Sequence, residues 1–367
     1  MVVGLAKEIK TDEYRVGLTP ASCREYVSHG HTVIVERGAG QGSGFTDGAY
    51  EKSGCTIVGR NAVFDRAEMI VKVKEPLEKE YELLREGQIL YTYLHLASGR
   101  ALTEALLERR IIGIAYETVM EDDGTLPLLK PMSEIAGRLS IQEGAKYLEK
   151  PFGGRGILLG GVPGIDRGKV VILGGGVVGT NACKIAVGIG AEVTVLDLSA
   201  RRLEYLDDIF GSAITTLYSN EANIEKSLAQ ADLVVGAVLI PGAAAPRLIR
   251  REHLKLMKKG AVIVDVAVDQ GGCCETIRPT SHSEPIFIED GVVHYGVTNM
   301  PGVVALSSTN SLTSVTNRYG LIIADNGVEK ALKISAPVRH GLNLYKGKLT
   351  NKAVAEAHGM VYVNAMD

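Results

Sequence analysis

The sequence predicts an α/β protein of two units, one of them a doubly wound parallel sheet, and three observations carry that prediction. Short β-branched runs alternate with helical patterns along most of the 367 residues. One run, residues 170–173, breaks into the glycines of KVVILGGGVVG, and a helical stretch then leads to a second apolar run, 193–196, that closes on Asp197. A third run, residues 261–268, is almost continuously apolar, as a strand buried on both faces must be.

Composition narrows the class. At roughly 150 residues per domain the length suggests two domains, and 46% hydrophobic residues suffice for sizeable cores. Forty basic against forty-three acidic side chains leave a net charge of −3, which is no nucleic-acid footprint. No apolar segment approaches the roughly 20 residues that a spanning helix needs. Lys7, Glu8 and Lys10 interrupt the amino terminus before signal-peptide length, so a cytoplasmic protein with no membrane partner is expected. Cys23, Cys55, Cys183, Cys273 and Cys274 are scattered, and read as reduced thiols, neither a disulfide framework nor a metal site.

Taken in order, residues 2–5 are strand-like, 21–29 helical and 32–35 strand-like. The stretch RGAGQGSGFTDGAY, 37–50, carries too many glycines for either and reads as an ordered loop. Three further apolar runs each deliver a polar residue. Residues 69–73 end in Lys74, Glu75 and Pro76; 88–93 lead to His95; 111–116 lead to Glu117. Residues 133–149 have helical spacing, with Ser133 where a cap or a phosphate-facing hydroxyl would stand. A glycine-rich connection, 152–168, enters the fingerprint strand. Beyond Asp197 come helical patterns at 201–210 and 224–229, a strand at 233–238, a basic helix at 250–259 and the strand 261–268. That last strand holds Asp265, read as a structural cap, and ends at Asp269. From residue 308 onward the pattern is helical. The resulting division is a substrate unit over 1–130 with 305–367, into which a Rossmann unit over 131–304 is inserted.

Gly174, Gly176 and Gly179 have the G-x-G-x-x-G spacing in a strand–turn–helix–strand context. Gly174 permits the turn, Gly176 lets a pyrophosphate lie on bare backbone, and Gly179 lets the helix pack on the sheet. The helix amino terminus then faces the phosphates. Asp197, eighteen residues beyond Gly179, can accept both ribose hydroxyls and repels a 2′-phosphate, so NAD is favoured over NADP, although Arg201 and Arg202 stand nearby.

Open α/β sheets carry reactive groups beyond the carboxyl ends of their strands, and Lys74, His95, Glu117 and Asp269 all follow that rule. Arg15 adds a guanidinium suited to a two-point grip on a carboxylate. Together they suit redox work on a small polar substrate. The pattern is equally served by rim charges at Lys74 and Glu117 and a core histidine at His95, and spacing does not show that these groups meet.

EIKTDEYRVGLTP, VKVKEP, YTYLHLA, KPMSEIAGR, LGGGVVG, DVAVDQGGCCET and HYGVTNMPG, in that order, resemble the bacterial alanine dehydrogenases and the related nucleotide-binding component of proton-translocating transhydrogenases. The resemblance implies reversible oxidative deamination of L-alanine by NAD, giving pyruvate, ammonium and NADH. It implies that Arg15 and Lys74 hold the substrate carboxylate, that His95 is the acid/base, and that Asp269 positions water at the imine carbon. Tyr93, Glu117 and Asn299 would line or brace that site. Expected nucleotide contacts are Ser133, Gly174, Gly176, Val177, Val178, Gly179, Asp197, Arg202, Ser219, Val238, Leu239, Val266, Asp269 and Asn299. A homohexamer is also implied. The proline and arginine usual after Gly302 are missing from residues 304–313.

Overall fold

A computed structural model describes residues 1–238 and 245–364. Contacts between Cα atoms divide the chain into two compact units, Met1–Met132 with Gly302–Asp367, and Ser133–Pro301. Strands are numbered in chain order.

In the first unit β1 (Val2–Leu5), β2 (Thr32–Glu36), β3 (Thr56–Val58), β4 (Met69–Val71), β5 (Ile89–Thr92) and β6 (Ile112–Ala115) are parallel, in the spatial order β3-β2-β1-β4-β5-β6. Two later strands extend the sheet. β14 (Leu342–Tyr345) pairs antiparallel with β6, and β15 (Lys348–Leu349) pairs antiparallel with β14. Alternate residues feed two cores, as the two-residue strand period requires. Val3, Leu5, Val33 and Tyr91 pack beneath Leu312, Tyr319 and Ile323 of the helix Ala305–Asn326. On the other face Ile34, Ile70 and Leu90 meet Phe64 of the helix Arg60–Arg66 and Leu106 of the helix Arg100–Glu108.

The second unit repeats the winding. β7 (Lys169–Leu173), β8 (Glu192–Asp197), β9 (Ile214–Tyr218), β10 (Leu233–Gly236), β11 (Val262–Asp265) and β13 (Val292–Tyr295) are parallel, in the order β9-β8-β7-β10-β11-β13, and β12 (Ile286–Glu289) closes the edge antiparallel to β13. The fold class is therefore as predicted, and the winding recurs in both units.

Local departures from the sequence reading have local causes. The 37–50 loop contains a helix, Asp47–Glu51, whose first turn Thr46 caps through its side chain (3.3 Å to the Ala49 N–H). The long helix begins at Lys130, so Ser133 lies inside its first turn and is not its cap. The basic stretch 250–259 forms only a 3-10 turn, Arg251–Lys255, after which Lys258 pairs with Asp232 at the foot of β10 (2.7 Å). β11 stops at Asp265, whose carboxylate accepts the N–H groups of Ala267 (3.1 Å) and Cys274 (3.0 Å) and bends the chain. Asp265 is the loop cap expected of it. Asp269 consequently sits on the separate turn Val268–Gln270, past the strand end. The five cysteines are buried and unbridged. Among the described residues no helix is long and apolar enough to cross a membrane.

Candidate active site

In each unit the polar groups cluster at the switch point, where the connections leaving two neighbouring strands run in opposite directions and open a crevice. In the first unit that point lies between β1 and β4. Arg15 follows β1 and Lys74 follows β4.

Arg15 is buried, and Glu13 grips its Nε–Nη2 edge at two points (2.7 and 2.5 Å). Burial works against the guanidinium charge, but the Glu13 carboxylate more than restores it. Nη1 points to the Met132 sulfur at 3.1 Å, a weak acceptor that a carboxylate would displace. Lys74 is half-buried, and burial together with the neighbouring Arg15 charge pulls its ammonium below the ordinary lysine range. Glu75 and Glu13 offset part of that repulsion. Tyr93 spends its hydroxyl on the Leu128 carbonyl (2.5 Å) and offers its ring to His95, stacked at 5.8 Å between centroids.

His95 has the left-handed backbone of φ +50, a strained choice for a residue with a side chain. The Glu117 carboxylate holds that turn by accepting the N–H groups of His95 (2.6 Å) and Leu94 (3.2 Å). Glu117 thus braces the turn that carries the histidine. The imidazole Nδ1 lies 3.0 Å from Glu75, which also binds Lys10 at 2.5 Å. Burial pushes the Glu75 carboxyl up, but His95 and Lys10 bring it down to about 2, so it is a carboxylate at any working pH. An anion on Nδ1 keeps the proton there and leaves Nε2 as the ring's acceptor nitrogen. Sequence reasoning missed Glu75, seeing only a strand terminator before Pro76. The signal that could have found it was a carboxylate next to a proposed reactive lysine.

In the second unit the switch point lies between β7 and β10. Gly174 turns at φ +100, and a side chain there would meet the Ala237 carbonyl at 2.7 Å. The helix Val177–Gly188 starts from Gly176 with no side-chain cap. A Cβ on Gly176 would meet no protein atom within 4 Å, whereas one on Gly179 would fall 1.8 Å from the Gly174 carbonyl. Gly179 therefore serves the close packing of the helix on the glycine turn. Asp197 accepts the N–H groups of Gly175 (2.7 Å) and Ser199 (2.8 Å), fixing its carboxylate at the end of β8. A cavity of about 580 Å³ runs along this edge, and Ser133, Gly174, Gly176, Val177, Val178, Asp197, Ser219 and Val238 line it. Bare backbone over a helix amino terminus, with a fixed carboxylate one strand away, fits a dinucleotide.

The other expected contacts differ. The Arg202 guanidinium binds the Gly175 carbonyl and the Thr180 hydroxyl (2.5 Å), so it clamps the glycine turn from behind. Val266, Asp269 and Asn299 lie outside the cavity lining, Asp269 exposed and Asn299 in a left-handed turn at φ +59. Leu239 lies outside the described residues. At the far end, Glu221, Glu225 and His253 come within metal-ligand distance of one another. His253 Nδ1, however, accepts the Arg250 N–H (3.2 Å), which leaves the proton on Nε2, and Arg250 already binds Glu221 at 2.5 Å. The cluster is an ion-pair group.

These two sites rest on sequences that match known families throughout. Residues 4–136 match the alanine dehydrogenase/PNT N-terminal domain, and residues 140–352 match the alanine dehydrogenase/PNT C-terminal domain. The chain belongs to the alanine dehydrogenase/PNT family. Among its relatives, the alanine dehydrogenase of Methanococcus maripaludis is 57% identical over 367 residues, covering 100% of this chain and 98% of that one. Alanine dehydrogenase 2 of Staphylococcus aureus is 53% identical over 363 residues, 99% of this chain and 98% of that one. Among solved members of the family, an L-alanine dehydrogenase superposes with a TM-score of 0.96 at 52% identity, covering 98% of this chain and 99% of that one. A transhydrogenase from Sinorhizobium meliloti superposes with a TM-score of 0.83 at 26% identity, covering 96% and 100%.

Proposed function

We propose that this protein catalyses the NAD-dependent, reversible oxidative deamination of L-alanine to pyruvate and ammonium. The observation that carries the proposal is the first unit's switch point, where a cation pair, Arg15 and Lys74, lies beside a histidine whose Nδ1 is held by a carboxylate. The identity of 53–57% to alanine dehydrogenases supports alanine as the substrate, where the 26% likeness to a transhydrogenase is weaker.

On this proposal Arg15 and Lys74 hold the substrate carboxylate, which fixes the α-carbon and removes orientational freedom before the reaction. NAD, when bound over the glycine turn, supplies the redox step by accepting the α-hydrogen with its electron pair. Water attacks the resulting iminium carbon. His95 Nε2 takes the proton from that water, and Glu75 stabilises the imidazolium as it forms. Lys74 polarises the carbonyl oxygen in the reverse direction. Asp197 carries the ribose hydroxyls. The proposal extends to a homohexamer in the cytoplasm.

The test is NADH formation by the pure protein with NAD and L-alanine at alkaline pH. Alanine-dependent formation is the expected result. NADH binding without turnover of L-alanine or other small L-amino acids would overturn it.

A further inference from the structure

VKVKEP carries two lysines two residues apart, and the structure gives them different work. Beyond β4 the chain turns through residues 73–77, presenting Lys74 and Glu75. Lys72, at the root of that turn, is fully buried, and its Nζ lies 3.1 Å from Glu8 and 3.1 Å from Glu80, both also buried. Each carboxylate spends its remaining capacity on the turn. Glu8 accepts the N–H groups of Val73 (2.6 Å) and Lys74 (3.3 Å), and Glu80 accepts the N–H of Leu77 (3.0 Å).

We propose that Lys72 is a positioning residue, whose ammonium locks Glu8 and Glu80 onto the two ends of the turn that presents Lys74 and Glu75 to the substrate. The inference rests on the function proposed above, in which Lys74 and the His95–Glu75 pair act on the substrate. A buried ammonium is retained at a desolvation cost that an apolar side chain would avoid, so its presence calls for a use. Burial pulls the Lys72 ammonium down, but the two carboxylates outweigh it and hold it above the ordinary range, so the ammonium stays charged. Arg60 steadies the same Glu80 oxygen that Lys72 binds, at 3.5 Å, and the Lys74 carbonyl is pinned by the Thr92 hydroxyl at 3.1 Å. Without Lys72 the two carboxylates would repel or protonate, and the backbone N–H groups of the turn would lose their strong acceptors.

The test is Lys72→Met, assayed for pyruvate reduction with ammonium and NADH, with Tm measured alongside. A turn displaced by about 1 Å should cost ten- to hundredfold in turnover and raise the pyruvate KM, while the NADH KM stays within about twofold. A lowered Tm with both KM values and kcat intact would show a structural ion pair only, and would overturn the proposal. If Lys72→Met does not fold, Glu8→Gln is read by the same criteria. Lys74→Met is run in parallel. Loss of turnover there with Lys72→Met and Glu8→Gln unaffected refutes the clamp alone, whereas retained turnover in Lys74→Met refutes the site itself.

Discussion

His95 works from a backbone conformation that costs a side-chain-bearing residue about 1–3 kcal/mol, and Glu117 and Glu75 hold its two ends in place. Replacing it with alanine should lower kcat by about 10²–10⁴-fold, the usual worth of a positioned acid/base, and leave NADH affinity nearly unchanged by fluorescence titration. Lys74 makes a second residue-level prediction. Its ammonium is pulled down by burial and by Arg15, whereas a bound carboxylate favours the charged form. Pyruvate affinity should therefore fall as pH rises through the lowered Lys74 value, with proton uptake on binding above it. Calorimetry in buffers of different ionisation enthalpy reads that uptake, and Lys74→Met should abolish it. Glu75 titrates near 2 when folded against an ordinary 4.5. Its stabilising contribution is complete above 4.5 and is lost as pH falls toward 2, so Glu75→Gln should flatten the acid limb of the unfolding curve there.

At the scale of elements, the glycine fingerprint makes two glycines behave oppositely. Gly176→Ala places a methyl in open space, so Tm should hold while NADH affinity drops, because the methyl stands where the pyrophosphate would lie. Gly179→Ala collides with the Gly174 carbonyl and should lower Tm along with affinity. Differential scanning fluorimetry with and without NADH separates them. Elements with strong periodicity were legible from sequence: the apolar runs of β2, β5, β7 and β8 and the helix after Gly176 all lie where their patterns put them. Elements defined by turn chemistry were not. The β12–β13 hairpin turns through Asp290 and Gly291, both at positive φ, and β14–β15 turns through Lys346 and Gly347 in the same way. The Asp-Gly pair was the signal for the first. Nothing so plain marks the second, since lysine is an uncommon first residue of such a turn.

At the scale of the molecule, the same winding carries two differently lined crevices. Each sheet opens a crevice at its switch point, and the residue types after the strands decide what enters it: bare glycine backbone and one carboxylate in the second unit, guanidinium, ammonium and imidazole in the first. That Lys74 and His95 follow strand ends was legible from sequence, because it depends only on where apolar runs stop. The strand-end rule does not reach Glu8, which lies 64 residues before its Lys72 partner, or Glu80, which lies in the helix after the turn. The most direct test of the proposed chemistry is a crystal structure of the protein with pyruvate and NADH bound. The expected result is a pyruvate carboxylate on Arg15 and Lys74, its carbonyl oxygen at His95 Nε2 and its carbonyl carbon against the nicotinamide. Pyruvate bound elsewhere, with Lys74 and His95 turned away from it, would contradict the proposal.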